Sequence, residues 1–380
     1  MIVSGDWLEH AGTQDLCRAL ESAGFRALLV GGAVRNALLG VAVCDIDVAT
    51  DATPRTVTEI ARKFGFRVVP TGIDHGTVTV VARDRPHEVT TFRKDVATDG
   101  RHAVVAFSTH IEDDAARRDF TMNAIYADRS GNVIDPLGGQ PDLVAGHVRF
   151  VGDAQARIRE DYLRSLRFFR FHAHFGDHAA GIDPEALAAI AGNILGLASL
   201  SRERVGAEMR KLLSAHDPAP AVAVMAASGL LGAVLAGAQI RGLAPLIHLE
   251  GDIPPRWQRR LAVLGGADLP AALRLSKTET NDLSHIRAEI GTVRTPAALG
   301  WLYGGMIATD IVLARAAVLE QPLADDWRMD VARGAAAVFP VAAGDLQPAL
   351  QGPALGAALN MLKIRWLNSD LQLTREQLLV

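Results

Sequence analysis

Two carboxylates stand one residue apart at Asp45-Ile46-Asp47, inside an apolar run (Ile46, Val48, Ala49) that reads as a β-strand. Side chains alternate along a strand, so both acids are expected on one side of it. Acids held together repel and cost stability unless a cation compensates, which points to a metal. Oxygen-only ligands suit magnesium, and two ions about 4 Å apart can activate an attacking hydroxyl and stabilise a leaving pyrophosphate. An Asp pair can equally cap a turn before Thr50-Asp51. A third acid, Glu88, lies in the strand-like stretch Glu88-Val89-Thr90-Thr91-Phe92 and either completes the metal cage or sits on a solvated strand face.

Just upstream, Leu28-Leu29-Val30-Gly31-Gly32-Ala33-Val34-Arg35 reads as a buried strand, a glycine turn and a helix start. Glycines let the backbone approach an anion closely, free amides at the helix start point at it, and Arg35 adds a charged fork. A Gly-Gly pair alone more often marks a tight turn. The full dinucleotide-binding glycine pattern is absent, which disfavours a nicotinamide or flavin enzyme. Further on, Arg157 to Phe171 reads as an amphipathic helix with Ile158, Leu163 and Leu166 inward and a polar stripe of Asp161, Arg164, Arg167 and Arg170. By itself such a stripe also fits an ion-paired surface helix.

These residues need a scaffold, and the chain divides accordingly. The first ~150 residues alternate short β-like runs with helical stretches, and the rest is almost purely helical in period, so the fold class is α/β or α+β with a helical remainder. Strands are expected at Ala27–Val30, Asp45–Ala49, Val68–Pro70, Thr77–Ala82 and Glu88–Phe92, with a turn over Gly72 to Gly76. Thr53-Pro54 is a helix start, because Thr caps free amides and Pro suits the first helical position. The polar segment from Arg93 to His110 reads as a mobile loop near the site.

At 380 residues two or three domains are expected. A net charge of −4 supplies no global attraction to nucleic acid, so any RNA contact must come from local clusters of Arg and Lys. Only Cys17 and Cys44 are present, without metal spacing or a disulfide framework, which fits a reducing, cytoplasmic setting. Met1 to His10 carries Asp6 and Glu9 and does not read as a signal peptide. Pro218 to Ile240 is uncharged and long enough to cross a bilayer, but Pro220, Ser228, Gly229, Gly232 and Gly237 interrupt it. Two short buried helices broken at Ser228-Gly229 are expected instead, with no membrane span.

Several motifs in order then carry a resemblance: Gly31-Gly32-Ala33-Val34-Arg35 with Asp45-Ile46-Asp47, Arg117-Arg118-Asp119-Phe120-Thr121-Met122-Asn123-Ala124-Ile125, Asp135-Pro136-Leu137-Gly138-Gly139, and Glu160-Asp161 through Arg164, Arg167 and Arg170. Over roughly Ala27 to Leu213 the sequence resembles the class II tRNA nucleotidyltransferase and bacterial poly(A) polymerase family of the DNA polymerase beta superfamily. The resemblance implies an α+β fold: a nucleotidyltransferase head with a small mixed sheet (1–148), a helical nucleobase-selecting neck (149–215) and a helical tRNA-binding body and tail (216–380). It implies template-independent addition of C and A from CTP and ATP to the 3′ end of tRNA, with Mg2+ on Asp45 and Asp47. Gly32 and Arg35 would contact the triphosphate, Arg118 with Asp119 the nucleotide and its ribose, and Asp135 to Gly139 would form a hinge.

Cytosine and adenine each present an exocyclic amine donor beside a ring-nitrogen acceptor, whereas guanine and uracil present the opposite order. A carboxylate beside a guanidinium, such as Asp161 with Arg164, matches the first pair and leaves desolvated groups unpaired with the second. Val69-Pro70-Thr71-Gly72-Ile73-Asp74-His75-Gly76-Thr77-Val78 lacks the double basic residue usual in the family's poly(A) polymerases and points to the tRNA branch. Asn36 replaces the family's usual Asp after the Arg and is expected to orient Arg35. No His-Asp phosphohydrolase signature follows. Arg256, Arg259, Arg260, Arg274, Lys277 and Arg287 are expected to grip phosphates of the acceptor and T arms, and no protein partner is evident. The rivals are a poly(A) polymerase, a CC-only or A-only enzyme of the same family, and an RNA-binding scaffold without catalysis.

Overall fold

Buried and half-buried residues alternate along Thr77–Ala82, with Val78, Val80 and Ala82 inside, as a strand with one covered face requires. In the computed structural model, which describes residues 1–73, 76–99 and 102–380, seven strands form one sheet: β1 (Leu28–Val30), β2 (Asp47–Thr50), β3 (Arg67–Gly72), β4 (Thr77–Ala82), β5 (Arg85–Thr91), β8 (Tyr126–Ala127) and β9 (Val133–Ile134). Their order is β3-β4-β5-β2-β1-β8-β9. β2 and β5 run parallel and the other neighbours antiparallel. The mixed sheet that the resemblance implies is therefore present.

The helix Ala11–Ser22 covers one face, where Thr13 Oγ1 meets the buried His87 Nε2 at 3.0 Å. The helix Ile111–Ala116 covers the other, its Ile111 and Ala115 packing with Leu28, Val30, Ala49 and Tyr126. The helix Pro54–Lys63 starts as expected, with Thr53 accepting the Thr56 amide and Pro54 in its first turn.

Several expectations need correction. Arg93 to His110 is not a structureless loop: β6 (Arg93–Asp99) and β7 (His102–Phe107) pair as a hairpin, and the helix Ile111–Ala116 opens immediately after His110. The overlooked signal was Asp99-Gly100, a favoured hairpin dipeptide, between runs carrying β-branched residues; Gly100 and Arg101 lie outside the described residues. Second, β2 begins at Asp47, so Asp45 sits exposed in the segment leading into it, and strand alternation does not apply to it. Third, Arg157 to Phe171 is two helices, Ala154–Glu160 and Leu163–Phe175. Asp161 is extended (φ −153°, ψ 104°), and its Oδ1 accepts the Leu163 amide at 3.1 Å, so it starts the second helix instead of continuing the first.

The chain forms two compact units, Met1–Ser201 with Ala227–Leu230, and Arg202–Ala226 with Leu231–Val380. Residues 148 and 149 lie inside the first, where aromatic packing spans them. Phe120 lies 5.0 Å from both Phe150 and Phe171, and Phe150 stacks on Phe168 at 5.5 Å. Gly139 is needed for close approach, since a Cβ there would come within 2.2 Å of the Thr121 carbonyl oxygen.

The second unit is helical. The uncharged stretch is broken as expected, into helices Ala219–Ala227 and Leu230–Val234. Another helix, Pro296–Leu319, is long and apolar enough to cross a membrane, but it kinks at Gly304 and buries Asp310 in an ion-pair network. That network corrects the expectation for Arg259 and Arg260, which are 0% and 1% exposed and unavailable to phosphates. Arg259 bonds Glu250 Oε1 at 2.7 Å, Asp310 Oδ1 at 2.9 Å and the Pro254 carbonyl at 3.0 Å. Arg260 bonds Glu250 Oε2 at 2.6 Å and the carbonyls of Leu213, Ala215 and His216. Arg260 thus satisfies carbonyls at the C-terminal end of helix Arg202–Leu213, where the helix dipole also favours a cation. Arg274, Lys277 and Arg287 are exposed.

Glu250 is the carboxylate shared by both buried guanidiniums. Glu250→Ala should therefore lower stability by about 3–5 kcal/mol, the usual cost of stranding a buried charge. Urea unfolding followed by far-UV circular dichroism checks this, with Lys277→Ala, at an exposed position, as a control expected to change little.

Candidate active site

The site grows from the end of β1. Gly31 has φ 68° and ψ −123°, a conformation L side chains avoid, and it turns the chain from Val30 into the helix Gly32–Leu38. In register, Val30 lies opposite Asp47 on one side and Tyr126 on the other, and Asp47 lies opposite Glu88. Residues paired in this way project to the same face of a sheet. Asp47 and Glu88 are therefore neighbours on one face, at the foot of the glycine turn. Burial, then the charge of Glu88, pushes the Asp47 carboxyl up to about 6, with Asp45 adding to the effect and Arg118 opposing it.

Acids so crowded fit a divalent cation, and their oxygen-only donor set fits magnesium. Asp45 and Asp47 could hold it. Among the described residues no three His, Cys, Asp or Glu side chains gather closely enough to form a cage alone. A magnesium ion held by one or two carboxylates, with water and phosphate oxygens completing its shell, has that kind of site.

Arg118 faces this corner. A Cβ on Gly31 would lie 3.5 Å from Arg118 Nη1. The opposite edge of the guanidinium is held: Nη2 donates to Asp114 Oδ2 at 2.9 Å, and Nε donates to the Tyr126 hydroxyl at 3.1 Å. Although burial disfavours its charge, Asp114 and then Tyr126 keep the Arg118 pKa above the ordinary arginine value.

Arg35 is 8% exposed, so it is a buried cation. Its guanidinium carbon lies 4.2 Å from the Phe175 ring centroid and 5.1 Å from that of Phe171. Nη1 donates to Asn123 Oδ1 at 2.6 Å and Nη2 to Asn36 Oδ1 at 2.8 Å, while Asn36 Nδ2 reaches the Ala42 carbonyl at 3.0 Å. Asn36 orients Arg35 as expected. Burial, then repulsion from Arg170, lowers the Arg35 pKa to about 10 against the pull of Asp119.

From Asn123 the network continues inward. Asn123 Nδ2 donates to Asp119 Oδ1 at 2.9 Å, and Arg167 Nε to Asp119 Oδ2 at 2.7 Å. Both oxygens of Asp119 are engaged inside the protein, and against the effect of burial Arg167 and Asn123 hold its carboxyl below the usual carboxylate range. Asp119 thus links Arg35, through Asn123, to the helix Leu163–Phe175. Along that helix Arg170 stacks on Phe171 at 4.6 Å. Arg164 Nη1 bonds Glu160 Oε2 at 2.5 Å and the Arg157 carbonyl at 2.9 Å, and Nη2 bonds the Arg117 carbonyl at 3.1 Å. In this state Arg164 is held by Glu160, one residue before the Asp161 expected beside it. Gly32 opens the helix after the turn, where a Cβ would lie 3.8 Å from Arg35 Nη2. Asp135 caps the helix Gly139–Val144 through the amides of Gly139 at 2.8 Å and Gln140 at 2.9 Å.

Asp114, Tyr126 and the linking role of Asn123 are not marked by residue type or spacing in the sequence. Asn123 falls within the motif Arg117 to Ile125, where an amide by itself indicates no chemistry. Asp114 ends the run Glu112-Asp113-Asp114, which looks like the solvated first turn of a helix.

Residues 27–149 match the poly A polymerase head domain, and residues 181–240 match the probable RNA and SrmB-binding site of polymerase A. The CCA-adding enzyme of Geobacillus thermodenitrificans is 37% identical over 324 residues, 81% of this chain and 78% of that protein. The human mitochondrial CCA tRNA nucleotidyltransferase 1 is 47% identical over 186 residues, 49% of this chain and 43% of that protein. The chain spans about half the length of the human, mouse and zebrafish proteins it matches. The crystal structure of the Bacillus stearothermophilus CCA-adding enzyme in complex with CTP aligns with a TM-score of 0.75 at 30% identity, over 94% of this chain and 93% of that one. A head-domain match on the segment that carries the acids, with likeness to CCA-adding enzymes along most of the chain, shows that this chain belongs to the CCA-adding enzyme family.

Proposed function

We propose that the protein adds C and A nucleotides from CTP and ATP to the 3′ end of tRNA, without a template, and releases pyrophosphate. The observation that carries this reading is the in-register pairing of Asp47 with Glu88 beside the Gly31 turn, with Arg118 facing the same corner. Support comes from the relatives: the human protein is a CCA tRNA nucleotidyltransferase by name, and the Bacillus stearothermophilus enzyme was solved with CTP.

In this reading Asp45 and Asp47 hold magnesium, with Glu88 as a neighbouring carboxylate. Bound there, magnesium would acidify the attacking 3′-hydroxyl and offset charge building on the leaving pyrophosphate. The chain's own part is to hold the triphosphate: the turn at Gly31-Gly32 allows close approach, and Arg118 and Arg35 offset its charge. Asp119, fixed by Asn123 and Arg167, acts on the nucleotide by keeping that framework in place. Residues 1–148 serve as the catalytic head, 149–215 as the base-selecting neck and 216–380 as the tRNA-binding body and tail. Within the last, exposed Arg274, Lys277 and Arg287 are the candidates for tRNA phosphates. A cytoplasmic setting accords with the free Cys17 and Cys44, although the human and mouse relatives are mitochondrial by name.

Base choice rests on Asp161 with Arg164, and Arg167 and Arg170 complete the stripe. For the pair to read a base, Arg164 must exchange its contacts with Glu160 for the incoming base. A tRNA substrate is favoured over mRNA tailing by the Val69 to Val78 segment, of which Asp74 and His75 lie outside the described residues.

Incubation with tRNA lacking its last three nucleotides, together with CTP and ATP, should restore the terminus and stop. A long A tail or absent C incorporation would favour a poly(A) polymerase instead. Asp47→Ala should lower turnover on the order of 10³-fold, as loss of a metal ligand removes several kcal/mol of transition-state stabilisation, while tRNA binding persists. Chelation of divalent ions should silence the wild type likewise; turnover unchanged by either treatment would contradict the metal assignment. Asp161→Ala should erode discrimination against GTP and UTP by about tenfold or more, the worth of one mismatched polar group. An unaltered four-nucleotide profile would remove the pairing model.

A further inference from the structure

Asp114 is fully buried, yet it is no candidate ligand of a metal or nucleotide, because its carboxylate is saturated from within. Oδ1 accepts Arg117 Nε at 2.8 Å and Nη2 at 2.5 Å. Oδ2 accepts Arg118 Nη2 at 2.9 Å and the Tyr126 hydroxyl at 2.8 Å. Tyr126 in turn accepts Arg118 Nε at 3.1 Å, and the guanidinium carbon of Arg118 lies 5.3 Å from the centre of the tyrosine ring. Asp114, Tyr126 and Arg118 form a closed triangle of hydrogen bonds.

The triangle has a direction. A guanidinium is a rigid planar fork, so holding its Nε–Nη2 edge fixes where Nη1 points. Nη1 points at the Gly31 turn, and Arg118 is close enough to Asp47 to oppose the upward shift of its carboxyl. Tyr126 is anchored independently, since β8 pairs Tyr126 with Val30, the residue before Gly31. The hydroxyl that steers Arg118 and the turn that Arg118 faces are therefore built on adjacent strands of one sheet.

We propose that Asp114 and Tyr126 are positioning residues that aim Arg118 at the triphosphate of the incoming nucleotide, and that they serve CTP and ATP alike. The inference rests on the nucleotidyltransferase reading above and deepens it. Because the contact is to phosphate, losing it weakens every nucleotide equally and leaves base choice alone. Without the two anchors a long, flexible arginine samples several rotamers, and its contact with phosphate carries an ordering cost that the triangle has already met.

Asp114→Asn strands two guanidiniums and risks the fold, so the discriminating variant is Tyr126→Phe, which keeps the buried ring and deletes only the hydroxyl. It should raise KM for CTP and for ATP by roughly tenfold each, the scale of one charge-assisted hydrogen bond, with the C-to-A ratio unchanged and little change in Tm. In an Arg118→Ala background the same substitution should add nothing, because its target is gone. Calorimetric titration with Mg-ATP should show a matching rise in Kd. A KM and Kd within about twofold of wild type in a folded variant, or an equal effect in both backgrounds, would overturn the positioning role. Failure of the wild type to extend tRNA while the Kd still responds to Tyr126→Phe would instead sink the tRNA reading and leave this one standing.

Discussion

Repulsion between neighbouring carboxylates is the constraint around which the first unit is arranged. Asp47 and Glu88 are locked in register on parallel strands, and Asp45 approaches the same place from the preceding segment. The sheet cannot separate them without breaking its own hydrogen bonds, and burial raises the cost of their charge. Positive charge therefore has to be brought to them. The protein supplies part of it through Arg118; a divalent ion and the counter-charge it carries supply the rest in the proposed reaction.

The cations are themselves costly to hold in place, and each is held by a different device. Arg118 is gripped by Asp114 and Tyr126 along one edge. Arg35 lies against Phe171 and Phe175 and is tethered by Asn36 and Asn123. Asn123 passes the constraint to Asp119 and so to Arg167 on the helix Leu163–Phe175. The phosphate end and the base-reading end of the proposed site thus share one hydrogen-bonded frame, stiffened by the contacts of Phe120 with Phe150 and Phe171. Buried polar chains of this kind hold their geometry because every broken link strands a desolvated group.

The second unit uses the same physics for another end. Arg259 and Arg260 look in sequence like a grip for phosphates, yet Glu250, Asp310 and several backbone carbonyls surround them. There the charges fasten helices together, which leaves the proposed contact with RNA to residues that remain in water.

By itself the sequence determined the features that depend on near neighbours. The glycine turn at Gly31, the cap at Thr53, the break at Ser228-Gly229 and the strand Thr77–Ala82 follow from local sterics and period, and the ordered motifs were enough to identify the family. Tertiary structure alone decided which distant residues meet. Glu88 becomes a partner of Asp47 only because β5 lies beside β2, and Asp114, on a helix, becomes an anchor only because a tyrosine on β8 and two following arginines close over it. The same acid in Glu112-Asp113-Asp114, or the same pair Arg259-Arg260, would be surface charge if its element were turned outward. Burial and long-range pairing belong to the packed chain, and no window of neighbouring residues contains them.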